Sequence, residues 1–111
     1  MHELAISEAI VSEVCACVGT GSVVRVVLEI GQLAAVMPDA VRFCFEVAAR
    51  GTMVEGAALE IVEVPGVGRC RRCEGRVALE DCHVGVCAGC GGLDLDVIGG
   101  RELRIKCVEV I

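Results

Sequence analysis

Tryptophan and tyrosine are absent from this chain and phenylalanine occurs only twice, so no aromatic cluster can organise its interior. A hydrophobic content of 55% must be packed from Val, Ile, Leu and Ala; it excludes a disordered chain. The missing aromatics also remove stacking platforms for single-stranded nucleic acid, and a formal charge of −6 has the wrong sign for a phosphate backbone. Basic side chains are scarce in residues 1–65, three against nine acidic ones. Over residues 66–101 the balance is five of each, with Arg69, Arg71, Arg72 and Arg76 grouped. No apolar run approaches the ~18 residues of a membrane span. Glu3, Glu8 and Glu13 stand where a secretory leader would be basic. A cytoplasmic protein is expected, with no nucleic-acid and no membrane partner. There, nine cysteines point to metal ligands or small buried hydrophobes before disulfides. There is also no phosphate loop, no nucleophile–base pair and no open three-ligand zinc site, so no enzyme is expected.

What is present fits one domain with a small satellite. Residues 3–18 read as a helix, with Leu4, Val11, Val14, Cys15 and Val18 on one face and Ile6, Ile10 and Cys17 widening the stripe. Gly19-Thr20-Gly21-Ser22 stops it. Val23 to Ile30 alternates as a strand. Pro38 and Asp39 open a second helix whose buried stripe should be Val41, Cys44, Phe45 and Ala48, closed by Gly51. Strands follow at Ala57–Val64, around Leu93–Val97 and from Leu103 onward. The expected fold class is α+β: two helices packed on a small mixed three-stranded sheet, with an inserted zinc-ribbon-like module. Residues 1–65 and 102–111 form the α/β domain in this reading, and residues 66–101 form the module, where nine of the fourteen glycines and five of the nine cysteines fall.

The most specific motif is a double one. Cys70-Arg71-Arg72-Cys73 and Cys87-Ala88-Gly89-Cys90 are two C-x-x-C pairs separated by thirteen residues. Two residues between cysteines let the chain turn so that both sulfurs face one ion. Two such turns supply the four soft ligands of structural zinc. A short, glycine-rich module with few large apolar side chains needs such a staple. Rubredoxin-like iron is one alternative; a redox disulfide role for either pair is the other, weakened because the pairs come as two and neither opens a helix in a βαβ unit. Cys82 and His83 lie between the pairs and read as a buried thiol and a surface histidine, with a spare-ligand role as the rival. Cys15, Cys17, Cys44 and Cys107 read as core fillers. The arginines beside Cys70 either balance the thiolates or dock an acidic partner.

The second constellation is the chain's beginning, Met1-His2-Glu3. Methionine followed by a large residue is expected to stay on after synthesis. Its free amine, the His2 amide nitrogen and the His2 imidazole lie within one residue's reach and close five- and six-membered chelate rings. The α-amine titrates near pH 7.7–8.0 in reference peptides, so its neutral form is accessible. Nitrogen-rich square-planar sites suit Ni(II) or Cu(II) rather than zinc.

Met1-His2-Glu3-Leu4 ahead of a helix, Leu28-Glu29-Ile30-Gly31, Ala40-Val41-Arg42-Phe43, Phe45-Glu46, Gly51-Thr52 and the paired C-x-x-C motifs together resemble the HypA/HybF family over essentially the whole chain. These are nickel metallochaperones of [NiFe]-hydrogenase maturation. The resemblance implies nickel held by the Met1 amine, by His2 through imidazole and amide, and by backbone or side chain of Glu3. It implies structural zinc at Cys70, Cys73, Cys87 and Cys90. It also implies a HypB-like GTPase as partner and delivery of nickel to the hydrogenase large subunit, in some organisms also to urease; a homodimer stays open. Some members place histidines beside their zinc cysteines, whereas Glu74 and Gly91 stand here. The competing readings are a zinc-ribbon docking module and a thiol redox sensor.

Overall fold

The computed structural model describes residues 2–79, 86–87 and 89–111. The element order is α1 (Glu3–Val18), β1 (Val23–Gly31), α2 (Pro38–Ala49), β2 (Ala58–Val64), β3 (Gly66–Cys70), β4 (Arg76–Leu79), β5 (Leu95–Gly99) and β6 (Leu103–Val110). Two three-stranded sheets result, ordered β2-β1-β6 and β4-β3-β5. The chain divides into two compact units, one of Met1–Glu29, Val36–Val62 and Arg104–Ile111, the other of Ile30–Ala35 and Glu63–Leu103.

The first unit is helix on sheet. β1 is central and carries the buried Val23, Val26, Val27 and Leu28. The bond from the Ile111 N–H to the Ser22 carbonyl, with that from Gly31 to Glu102, sets β6 antiparallel to β1. The bonds from Val23 to Met53 and from Gln32 to Val64 run in the same sense, so β2 lies parallel to β1 with α2 as the crossover. The sheet is therefore mixed, as the strand pattern predicts. Arg25 on β1 pairs with Glu60 on β2 and Glu109 on β6, an exposed charge ladder across all three strands.

The helices pack largely by the faces periodicity predicts, with Ile10, Val11 and Val14 of α1 and Val41 and Phe45 of α2 buried, and depart from them at a few positions. The buried positions of α1 are Glu3, Ser7, Ile10, Val11 and Val14; Leu4 is half exposed and Cys17 is exposed. Two polar residues displace Leu4 because α2 satisfies both. The Ser7 hydroxyl donates to the Val41 carbonyl at 3.3 Å. The Glu3 carboxylate accepts the Met37 N–H at 3.3 Å. Both bonds join residues 34 apart, so the two helices run parallel. Glu3 thus sits at the N-terminus of α2, where the helix dipole favours an acid. On α2 the buried residues are Val41, Phe45 and Ala49; Cys44 and Ala48 are only half buried, and Phe43 is 70% exposed. Cys107 is also exposed, so it and Cys17 are not core fillers.

The second unit contains two strands the sequence does not announce. Gly66-Val67-Gly68-Arg69-Cys70 forms β3, paired antiparallel with β4 and β5. At Gly66 a side chain would not fit, whereas at Gly68 it would press on the flexible end of Leu79. A Cβ on Gly68 would lie 2.9 Å from Leu79 Cδ1, and one on Gly66 would strike the Leu79 carbonyl. Apart from two cysteines, the buried apolar side chains of this unit are Ile30, Leu33 and Leu79 among the described residues.

Candidate metal centre

The sulfurs of Cys70, Cys73, Cys87 and Cys90 all lie within 4.8 Å of one another. Cys70 and Cys90 are 3.6 Å apart, Cys73 and Cys87 3.5 Å. A tetrahedron with metal–sulfur bonds of about 2.3 Å has edges of about 3.8 Å, so the four thiols fit a zinc-sized cation. They are the four cysteines singled out by spacing.

The two C-x-x-C segments build the centre as copies of one turn. In the first, the Cys70 N–H donates to the Gly75 carbonyl at 2.9 Å, and the Glu74 N–H to the Cys70 carbonyl at 2.8 Å. In the second, Cys87 donates to Gly92 at 2.8 Å and Gly91 to Cys87 at 2.7 Å. The first cysteine of each pair is buried and the second exposed. The fifth residue of each turn is left-handed: Gly91 at φ +71° and Glu74 at φ +62°. Glycine adopts that region freely; for other residues it costs roughly 1–2 kcal/mol. A Cβ on Gly91 would meet open space. Gly91→Ala should therefore cost about 1–2 kcal/mol through backbone strain alone, and Glu74→Gly should gain up to about 1 kcal/mol, since its exposed pair with Arg69 is worth little. Chelator-challenge midpoints of the two variants check both.

Backbone amides tune the thiols in the same repeated way. The Cys73 amide, opposed by burial and helped by the Arg72 amide and the Cys90 and Cys73 thiols, pulls the Cys70 thiol down to about 6. The Cys90 amide, with the Cys73 thiol and the Gly89 amide, lowers Cys87. The Gly75 amide favours the Cys73 thiolate but is outweighed by the thiols of Cys87 and Cys70 and by burial, so Cys73 is pushed up to about 11. Cys90 is raised likewise, the thiols of Cys70 and Cys87 outweighing the Gly92 amide. Four thiolates this close repel; a divalent cation among them removes the conflict. Arg71, in the turn after β3, pairs with Asp94 and Asp96. Arg72 lies across Gly92, where a Cβ would meet its Cδ at 3.2 Å.

The other predicted constellation is partly in view. His2 is exposed at the cap of α1, and its carbonyl accepts the Ile6 N–H at 2.9 Å. Glu3 is buried. Met1, Cys82 and His83 lie outside the described residues. Sequence reasoning missed the anchoring of Glu3 on α2; its only signal was an acid among apolar helix residues. No helix among the described residues is long and apolar enough to cross a membrane.

Comparison with known proteins covers both constellations. The family model described as "Hydrogenase/urease nickel incorporation, metallochaperone, hypA" matches residues 1–110. The "Hydrogenase maturation factor HypA" of Nostoc punctiforme is 51% identical over 110 residues, 99% of this chain and 96% of the relative. That of Geotalea uraniireducens is 44% identical, covering 99% of each. Among solved structures, the Ni metallochaperone HypA from Helicobacter pylori aligns with a TM-score of 0.67 at 24% identity, over 100% of this chain and 98% of that one. That likeness carries the fold.

Proposed function

The chain belongs to the HypA family of nickel metallochaperones for hydrogenase maturation, and from that premise we propose that it holds Ni(II) at its N-terminus and passes it on without chemical turnover. The Met1 amine and the His2 amide and imidazole supply nitrogen donors suited to nickel. Glu3 contributes through its backbone or its side chain, of which one carboxylate oxygen accepts the Met37 N–H at the start of α2. The observation that carries the proposal is this pairing of an exposed His2 with a pinned Glu3. The pin fixes Glu3, while His2 ahead of it is exposed, and a terminal segment can open without unfolding the core.

Cys70, Cys73, Cys87 and Cys90 would hold zinc, whose chemistry here is structural: it closes the module and leaves no position for a substrate. Residues 1–65 and 102–111 then form the cargo domain and residues 66–101 the zinc module. A HypB-like GTPase and the hydrogenase large subunit are the partners this role requires, with urease as a further recipient and the cytosol as the compartment.

His2→Ala is expected to lower nickel affinity at least about 100-fold, by analogy with the loss of a ligand-orienting group, with zinc content and helical signal unchanged. Isothermal titration on protein with an untagged N-terminus reads the first, and elemental analysis and circular dichroism the others. Nickel binding that survives His2→Ala intact would remove the terminal site.

A further inference from the structure

The start of α2 places a soft donor beside the chain's beginning. Met37 is the residue that caps α2, and its backbone is held on both sides. Its N–H donates to the Glu3 carboxylate at 3.3 Å, and its carbonyl accepts the Val41 N–H at 3.0 Å. Glu3 directly follows His2, so the Met37 and His2 side chains spring from neighbouring backbone. Both are exposed, Met37 to 66%. A lone exposed apolar side chain is ordinary on a protein surface. This one differs because its backbone is fixed against the residue next to His2, while its side chain is left without burial.

Metal chemistry gives that side chain a use. The Met1 amine and the His2 amide and imidazole fill three positions around a cation and leave others open. A thioether is a neutral, polarizable and soft donor. It carries no proton that the cation must displace, unlike a thiol. It adds no charge to the site, so it raises affinity without locking the ion in. Resting on the terminal nickel site proposed for this chain, we infer that the Met37 thioether is a sulfur donor to the metal held there. Met37 then biases the terminus toward soft and borderline cations, and away from magnesium and manganese, which prefer oxygen donors.

The test uses the zinc-loaded full chain with an untagged N-terminus. Met37→Leu keeps an apolar side chain of similar size and removes only the sulfur. Nickel affinity by isothermal titration should fall at least about tenfold, by the same analogy as for His2. Nickel X-ray absorption on selenomethionine-substituted protein should show a nickel–selenium contact that Met37→Leu loses. Met53 is the control. Its carbonyl accepts the N–H of Val23 at the start of β1, whereas Met37 follows the end of that strand, so Met53→Leu should keep both signals. Circular dichroism verifies the helices in each variant. Unchanged nickel affinity in Met37→Leu overturns the inference, as does a nickel–selenium contact that is missing from the unsubstituted sequence or retained in Met37→Leu. His2→Ala separates the two readings. Nickel binding lost in His2→Ala but untouched by Met37→Leu removes the role of Met37 alone; binding that survives both removes the terminal site with it.

Discussion

Stripping metal from the cysteine cluster is expected to unfold the second unit and leave the first one helical. The reason lies in how little the second unit buries. Ile30, Leu33 and Leu79 are its fully buried aliphatic side chains among the described residues. At roughly 1.5–3 kcal/mol each they contribute about 5–9 kcal/mol. Structural zinc contributes roughly 10–16 kcal/mol of apparent binding free energy, which makes it the largest single favourable contribution. Both helices, α1 and α2, belong to the first unit, so far-ultraviolet circular dichroism should change little on chelation. Amide exchange across β3, β4 and β5 should rise by orders of magnitude. Cys73→Ser and Cys90→Ser should do the same without chelator. Acid acts in the same direction, since protons compete with the cation for thiolates. A metal-free protein, verified by elemental analysis, whose β3 amides stay protected would show that the sheet stands without its staple.

Gly100→Ala should be nearly as damaging, and Gly99→Ala nearly silent. The two glycines are adjacent and look alike in sequence. Gly100 has φ +103°, and a Cβ there would sit 2.5 Å from Gly66 Cα and 3.1 Å from the Pro65 carbonyl. Gly31 meets the same knot: its Cβ would fall on the Gly100 carbonyl. Three segments of backbone cross here, held by bonds from Gly31 to Glu102 and from Leu33 to Gly100, both 2.6 Å. Backbone cannot step aside as a flexible side chain can. Strain and overlap together should cost at least about 3 kcal/mol, which lowers the melting temperature by on the order of 10 °C or more. A Cβ on Gly99 would meet nothing within 4 Å, and its φ is not positive. Thermal melts of the two variants side by side separate a knot of close approach from a merely glycine-rich stretch. Equal melting temperatures would refute the knot.

The lesson of the α1–α2 contact is about which polar residues a helix can bury. Glu3 and Ser7 interrupt an otherwise apolar stripe, and composition assigns them to solvent. They are inside because α2 presents a free N–H at Met37 and an accepting carbonyl at Val41. A buried polar atom with a partner carries little penalty, and a small one such as the serine hydroxyl lets two helices approach. Leu4 is turned outward as a consequence.

By itself the sequence determined both helices, the strands β1, β2, β5 and β6 and the four cysteines of the centre. Each of these is local: a period of 3.6 or 2, a cap, or a two-residue spacing that turns two sulfurs toward one ion. Tertiary structure alone decided which glycines are obligatory, that Gly66–Cys70 and Arg76–Leu79 are strands, that Ile30–Ala35 group with the cysteine-bearing unit, and that Arg71 pairs with Asp94 and Asp96. Those depend on which distant backbone or charge comes within a few ångströms, and no periodicity along the chain encodes that distance.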